Sequence, residues 1–334
     1  MKKSIVALAV LGSFAGVAAA QSSVTLFGVV DAAARYTKAN GQDLYSLASG
    51  GNTTSRLGVR GVEDLGGGLK AGFWLESQVN VDSGTAAGSD GKFWGRRATV
   101  SLWGDFGTVN LGRNKNSTKL AYEDFDPVSA TGLGSVENLY SNLGSGAGLG
   151  RYDNQVTYVL PANLGGFYGS VDVAAGEGST FGKSYSGRVG YKADAINVSA
   201  AYMESGVDTK FKLLTLGASY DFGIAKPSLI YTTTEFGAAK QEVWTAAVTA
   251  PLGAGSVWAS YSDAADKSGA GSSKYKANQF AAGYIYNLSK RTALYTTVSL
   301  IDNGEQAKFS LANSPAVVAD GRSGGFDLGV RHSF

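Results

Sequence analysis

The segment Phe326-Asp327-Leu328-Gly329-Val330-Arg331-His332-Ser333-Phe334 decides the fold. Phe326, Leu328, Val330, His332 and Phe334 take alternate positions, with Asp327, Gly329, Arg331 and Ser333 between them. Successive side chains of a strand point to opposite faces, so this is a strand with one mostly apolar and one polar face. It ends on an aromatic residue. That pattern suits a strand that closes a barrel in a membrane, its apolar face toward lipid and Phe334 in the aromatic girdle at the lipid boundary.

The opposite end agrees. Met1-Lys2-Lys3 is a short positive start, Ile5 to Val17 is apolar, and Ala18-Ala19-Ala20 is a small-residue cleavage pattern before Gln21. This is the layout of a secretory signal peptide over 1–20, removed to leave 21–334 as one barrel domain. A membrane anchor would need roughly 20 apolar residues, more than Ile5–Ala20 supplies.

Composition narrows the function classes. The 47 Gly, 17 Tyr and 15 Phe against 5 Pro suit turns, barrel bends and girdles rather than disorder or a helical fold. Cys is absent, so stability comes from elsewhere, and closed strand pairing is one source. With no Cys and a single His, neither a metal nor another cofactor is expected. Lys2 and Lys3 account for the whole net charge of +2, so residues 21–334 are balanced and nucleic acid is not an expected partner.

Alternating segments recur along the chain, as in Leu214, Leu216, Ala218, Tyr220 and Phe222, or Ile196, Val198, Ala200 and Tyr202. Connections divide into two kinds. Short ones include Leu65–Gly68, Asp105–Gly107, Pro161–Gly165, Phe222–Gly223, Leu252–Ala254 and Ser289–Lys290. Long polar ones include Thr37–Gly51, Asp82–Gly91, Lys115–Gly150, Asp263–Lys274 and Asp302–Gly324. Tight turns at one rim and long loops at the other are the outer-membrane arrangement. The spacing predicts an all-β, 16-stranded antiparallel transmembrane β-barrel. Its strands begin near Val24, Ser55, Leu69, Phe93, Thr108, Arg151, Phe167, Tyr185, Ile196, Phe211, Ile224, Gln241, Gly255, Lys276, Arg291 and Gly325. A barrel of that size is wide enough for a water-filled lumen. The third connection, Lys115–Gly150, is longer than a simple loop requires and carries aromatics, so it is expected to fold into the lumen and narrow it.

Arginines cluster on the strands that flank this connection. Leu57 and Val59 face lipid by parity, which turns Arg56 and Arg60 inward. Tyr152, Val156 and Tyr158 do the same for Arg151. A lipid-facing Arg at the midplane costs roughly 2–4 kcal/mol, which lumen placement avoids. Parity with Ala98, Val100 and Leu102 makes Arg97 the inward member of Arg96-Arg97. Glu123, Asp124 and Asp126 of the long connection are the candidate opposing acids. A basic wall facing an acidic loop sets up a transverse field that biases which ions enter.

These pieces together resemble the trimeric general-diffusion porins of Gram-negative bacteria, particularly those of beta-proteobacteria. The carrying segments are Ser23–Asp31, Ser55–Gly61 with Glu63–Gly66, Gly95–Ala98, Asp105–Arg113, Arg151–Asn154 and Gly329–Phe334, which span the chain. The resemblance implies a homotrimer of barrels in outer-membrane lipid and lipopolysaccharide, each with its own pore, and a third loop that forms an eyelet. It assigns Arg56, Arg96 and Arg151 to the eyelet and Asp126 to the loop side, so Arg96 and Arg97 are both carried as candidates. The loop departs from the family's usual form, because Asp126-Pro127 is followed by Val128-Ser129. Phe326, Leu328, Val330 and Phe334 resemble the C-terminal signal read by the barrel-assembly machinery.

The function expected is passive diffusion of ions and small hydrophilic solutes, with a weak lean toward anions. A substrate-specific channel and an adhesin or structural barrel are the alternatives. A barrel hydrolase is disfavoured because the only His, His332, lies within the closing strand, where nothing marks it as a catalytic base.

Overall fold

The computed structural model describes residues 23–86, 91–268 and 275–334. Residues 1–20, expected from sequence to be a signal peptide, lie outside these residues, as do parts of the Asp82–Gly91 and Asp263–Lys274 connections. Among the described residues eighteen strand segments follow one another: β1 (Ser23–Ala39), β2 (Gln42–Ser49), β3 (Arg56–Gly66), β4 (Leu69–Asn80), β5 (Thr85–Ala86), β6 (Arg97–Gly104), β7 (Gly107–Lys115), β8 (Arg151–Val159), β9 (Phe167–Ala174), β10 (Ser184–Ala193), β11 (Ile196–Ser205), β12 (Phe211–Tyr220), β13 (Lys226–Phe236), β14 (Ala239–Leu252), β15 (Gly255–Asp266), β16 (Lys276–Asn287), β17 (Thr292–Asn303) and β18 (Arg322–Ser333). One helix, α1 (Ser117–Glu123), and a 3-10 turn (Val136–Leu139) lie in the third connection.

The segments form a closed antiparallel barrel of sixteen staves. Both β2 and β3 pair with β1 and make a single interrupted stave, while β5 pairs only with the tip of β4. Closure comes from β1 against β18, with Val29 opposite Ser333 and Ala39 opposite Ser323. Phe334 completes it, since its N–H donates to Gly28 O at 3.1 Å and its carbonyl accepts from Gly28 N at 3.0 Å. Phe326, Leu328, Val330 and Phe334 are exposed on the outer face, while Asp327 is fully buried on the inner one. Every backbone donor in hydrocarbon needs a partner, and a ring of paired strands leaves no edge.

The first predicted long loop, Thr37–Gly51, is instead a hairpin. β1 continues to Ala39, and Asn40-Gly41, with φ of 51° and 76°, turns directly into β2. Both turn residues need positive φ, which Asn and Gly tolerate and most residues do not. The true irregularity follows it. Residues 50–55 bow inward, where the Asp31 carboxylate accepts from the N–H groups of Gly51 (3.1 Å), Asn52 (3.2 Å) and Thr53 (2.7 Å), and the Tyr295 hydroxyl also donates to it. β6 begins at Arg97 rather than near Phe93, and β18 begins at Arg322 rather than near Gly325.

Beside this bow, Arg35 donates to both Asp327 carboxylate oxygens at 2.7 Å and to Ala312 O at 3.2 Å. That ties β1, β18 and the final connection together within the barrel. Asp327→Ala leaves the Arg35 charge buried without a carboxylate, which costs about 3–5 kcal/mol. The expected result is a lower temperature for the loss of the folded, fast-migrating band on an SDS gel. Arg35→Met with Asp327→Leu recovers most of the loss.

Candidate functional site in the barrel lumen

The third connection crosses the lumen and is held on the far wall. At its start the Asn116 side chain caps α1, accepting from Lys119 N at 2.8 Å. Ser117 then docks on β9 and β10, its hydroxyl donating to Asp172 at 2.5 Å and its N–H lying 3.1 Å from Asp172 Oδ2 and from Ser186 Oγ. Further along, Ser228 donates to Phe125 O at 2.7 Å, Gln241 to Leu139 O at 2.9 Å and Gln279 to Leu133 O at 3.2 Å, and the Tyr140 and Thr232 hydroxyls are 2.9 Å apart. Tyr122, Phe125, Leu133, Val136, Leu139 and Tyr140 pack against inward Ile230, Val243 and Ile301 and against Leu311 of the final connection. Burial of these apolar side chains overcomes the Gly/Ser-rich composition that would otherwise leave the loop mobile. The tip reaches the bowed segment of the first stave. There a Cβ on Gly132 would stand 1.8 Å from Gly51 O, and φ is +72°, so only glycine fits.

What remains of the cross-section is a polar passage. A cavity of about 530 Å³ lies between the loop and the wall of β3, β4, β7 and β8, with Arg96 just before β6, and it shares Gln78, Arg96, Lys119, Glu137 and Arg151 with one of about 730 Å³. Six basic side chains line the smaller cavity: Arg56, Arg96, Lys115, Lys119, Arg151 and Arg331. Three acids line it, Glu123, Asp124 and Glu137. The acids are already engaged. Glu123 is 2.5 Å from Lys115 and 3.5 Å from Lys119, Glu137 is 2.5 Å from Lys119, and Asp124 is 2.5 Å from Arg188 on β10. Glu76, behind the wall arginines, is 2.6 Å from Arg96 and 3.8 Å from Arg56. Arg151 donates to Arg96 O at 2.9 Å, and Arg331 donates to Asn52 at 2.8 Å and Thr53 at 3.2 Å. Among the described residues, neither Arg151 nor Arg331 has a carboxylate within ion-pair range.

The residues predicted from sequence thus separate into three groups. Arg56, Arg96, Arg151, Glu123 and Asp124 come together at the narrow cavity. Arg60 and Arg97 face the lumen at another level. Arg60 pairs in register with Trp74, four residues nearer the β3–β4 turn than Arg56 with Gln78, and Arg97 lies over the Trp74 ring at 4.7 Å. Asp126 is a correction. It is only 5% exposed and does not face the passage; its carboxylate accepts from Val128 N (3.2 Å), Ala130 N (2.9 Å) and Val136 N (3.2 Å) and so folds the loop. Burial pushes its carboxyl up to about 6, and the three N–H donors pull it back only in part.

Both Arg96 and Arg97 point inward. Arg97 is the first residue of β6 and follows its parity, opposite Glu76. Arg96 precedes the strand, where alternation does not apply, and the ion pair to Glu76 turns it in. Sequence reasoning passed over Glu76 and Arg331, although alternation with Leu75 and Val330 marks both as inward. Lys115, Lys119, Glu137 and Arg188 gave less signal, because the path of the loop decides which charges meet.

A Gly-x-Ser-x-Gly stretch occurs at Gly321–Gly325, but it is no nucleophile elbow. Ser323 is fully buried, accepts from Leu311 N at 3.1 Å and donates to Ser314 at 2.9 Å. The single His332 is exposed beside Thr292 near the short-turn rim.

A family model described as Gram-negative porin matches residues 7–306. The chain belongs to the Gram-negative porin family. It is 39% identical to outer membrane porin protein 32 of Delftia acidovorans and 31% identical to an outer membrane porin protein of Bordetella pertussis, each over all of both chains. Among solved structures, the anion-selective porin from Comamonas acidovorans superposes with a TM-score of 0.85 at 37% identity, covering 94% of this chain and 100% of that one. A trimer form of OmpT from Vibrio cholerae, at 17% identity and TM-score 0.69, shares the fold. This porin is therefore an outer-membrane channel for passive diffusion and not an enzyme.

Asp126→Ala removes the acceptor that gathers three loop N–H groups, at a cost of about 1–3 kcal/mol for each donor left buried. The barrel itself is expected to fold normally. Single-channel recordings should show a larger or noisier conductance as the loop loosens.

Proposed function

We propose that this porin favours small anions over cations, and that selection occurs where the third loop faces Arg56, Arg96 and Arg151. The observation that carries the reading is the imbalance at the narrow cavity, where six bases meet three acids and each acid is held by a cation. Among the described residues, Arg151 and Arg331 have no carboxylate within ion-pair range. In a narrow space with low-dielectric walls such an excess draws in anions and repels cations. The related porin described as anion-selective supports the same sign.

The assembly we propose is a homotrimer in a membrane of lipid and lipopolysaccharide, formed after residues 1–20 are removed. The assembly machinery recognises the outward row Phe326, Leu328, Val330 and Phe334. That row is exposed at the closing seam, and the related chains are outer-membrane porins.

Purified protein in a planar bilayer under a KCl gradient tests the selectivity directly. The expected reversal potential has the sign for chloride permeating faster than potassium, with conductance steps in groups of three. Arg151→Gln with Arg331→Gln should lower the chloride-to-potassium permeability ratio by at least about twofold. A ratio favouring potassium in the unmodified protein would refute the assignment.

A further inference from the structure

We infer that the lumen wall between the narrow cavity and the short-turn rim carries a second solute site, suited to a carboxylate attached to an aromatic ring. The site is a recess of about 380 Å³ on the inner faces of β1, β3, β4, β6 and β7, lined by Arg60, Trp74, Arg97, Trp103 and Asn110 among others, with no acid among the described residues. Its chemistry differs from that of the constriction, whose lining has no aromatic side chain.

The guanidinium groups here are stacked rather than ion-paired. Phe27 and Trp74 pack edge to face at 5.0 Å, and the Arg60 guanidinium lies 5.4 Å from the first ring and 5.2 Å from the second. Arg97 lies over Trp74 at 4.7 Å. Its Nε donates to Thr99 at 3.0 Å and its Nη2 to Asn110 at 3.2 Å. Arg60 makes no ion pair among the described residues.

A guanidinium held against a ring can still offer N–H groups in its plane to an anion; Arg60 has its edge for this, while Arg97, whose Nε and Nη2 are taken by Thr99 and Asn110, offers Nη1. A carboxylate in that plane gains charge-assisted hydrogen bonds. A ring attached to it meets Trp74 and Trp103, where stacking adds to the charge term. An ordinary structural pairing would also rigidify the wall. It leaves unexplained why two guanidinium groups converge on one recess that has no acid.

Saturation-transfer NMR on the purified, detergent-folded protein tests this with benzoate as the probe and acetate as the control. It reads binding rather than conductance, so it is independent of the ion preference proposed above. The expected result is a saturable benzoate signal at least about tenfold stronger than that of acetate. Arg60→Gln with Arg97→Gln should abolish it, while Arg56→Gln, at the constriction, should leave it in place. Each single variant, Arg60→Gln or Arg97→Gln, should weaken it if the double variant does not fold. An undiminished benzoate signal in these variants, or its loss in Arg56→Gln instead, would overturn the proposal.

Discussion

Closure of the strand ring is the constraint on which the rest depends. In hydrocarbon an unpaired backbone donor has no water to turn to, so β18 must find β1 and the chain end must reach Gly28. Closure forces alternation on every stave, and alternation turns mid-strand charges such as Arg35, Glu76, Asp172 and Asp327 inward, while charges on the outer parity, such as Asp302 and Arg322, lie at strand ends. The polar interior is thus a consequence of the lipid outside. Buried polar ties such as Arg35 with Asp327, and Asp31 with the bowed segment, fasten that interior without any disulfide.

Function arises from one departure from the barrel plan. The third connection is ordered by an apolar cluster inside the barrel, where water would otherwise stand. By filling that side it confines solutes to the side where the arginines lie. The acids it carries are spent on Lys115, Lys119 and Arg188, which converts a nominally balanced chain into a locally basic passage. Net charge over the whole sequence says little about such a site.

Much of this was legible in the sequence, and the reason is period two. Parity placed Arg56, Arg60 and Arg97 on the inner face and Phe326, Leu328 and Val330 on the outer one. It failed for β8, where the irregularity at Asn154 breaks the alternation and Tyr152, expected to face lipid, packs inside with Met203 and Phe211 while Arg151 still reaches the passage. It gives the face of a strand but not the height that a side chain reaches, and so Arg60 and Arg97 were grouped with the narrow cavity when they lie below it. The Thr37–Gly51 stretch read as a loop because it is polar, yet its Asn40-Gly41 pair is a hairpin signal in its own right. Asp126 was misread for another reason. In an irregular segment only the folded path distinguishes an acid that faces water from one that gathers backbone N–H groups.

The central claim is that the passage between loop and wall is electropositive. The chain has no Cys, so a single Gln78→Cys on the inner wall, at the junction of the two cavities, is a clean reporter. The measurement is its rate of modification by anionic and cationic methanethiosulfonate reagents of similar size. The account predicts that the anionic reagent reacts faster once both rates are normalised to a free thiol, and that the advantage shrinks as salt is raised. A faster cationic reagent would contradict it.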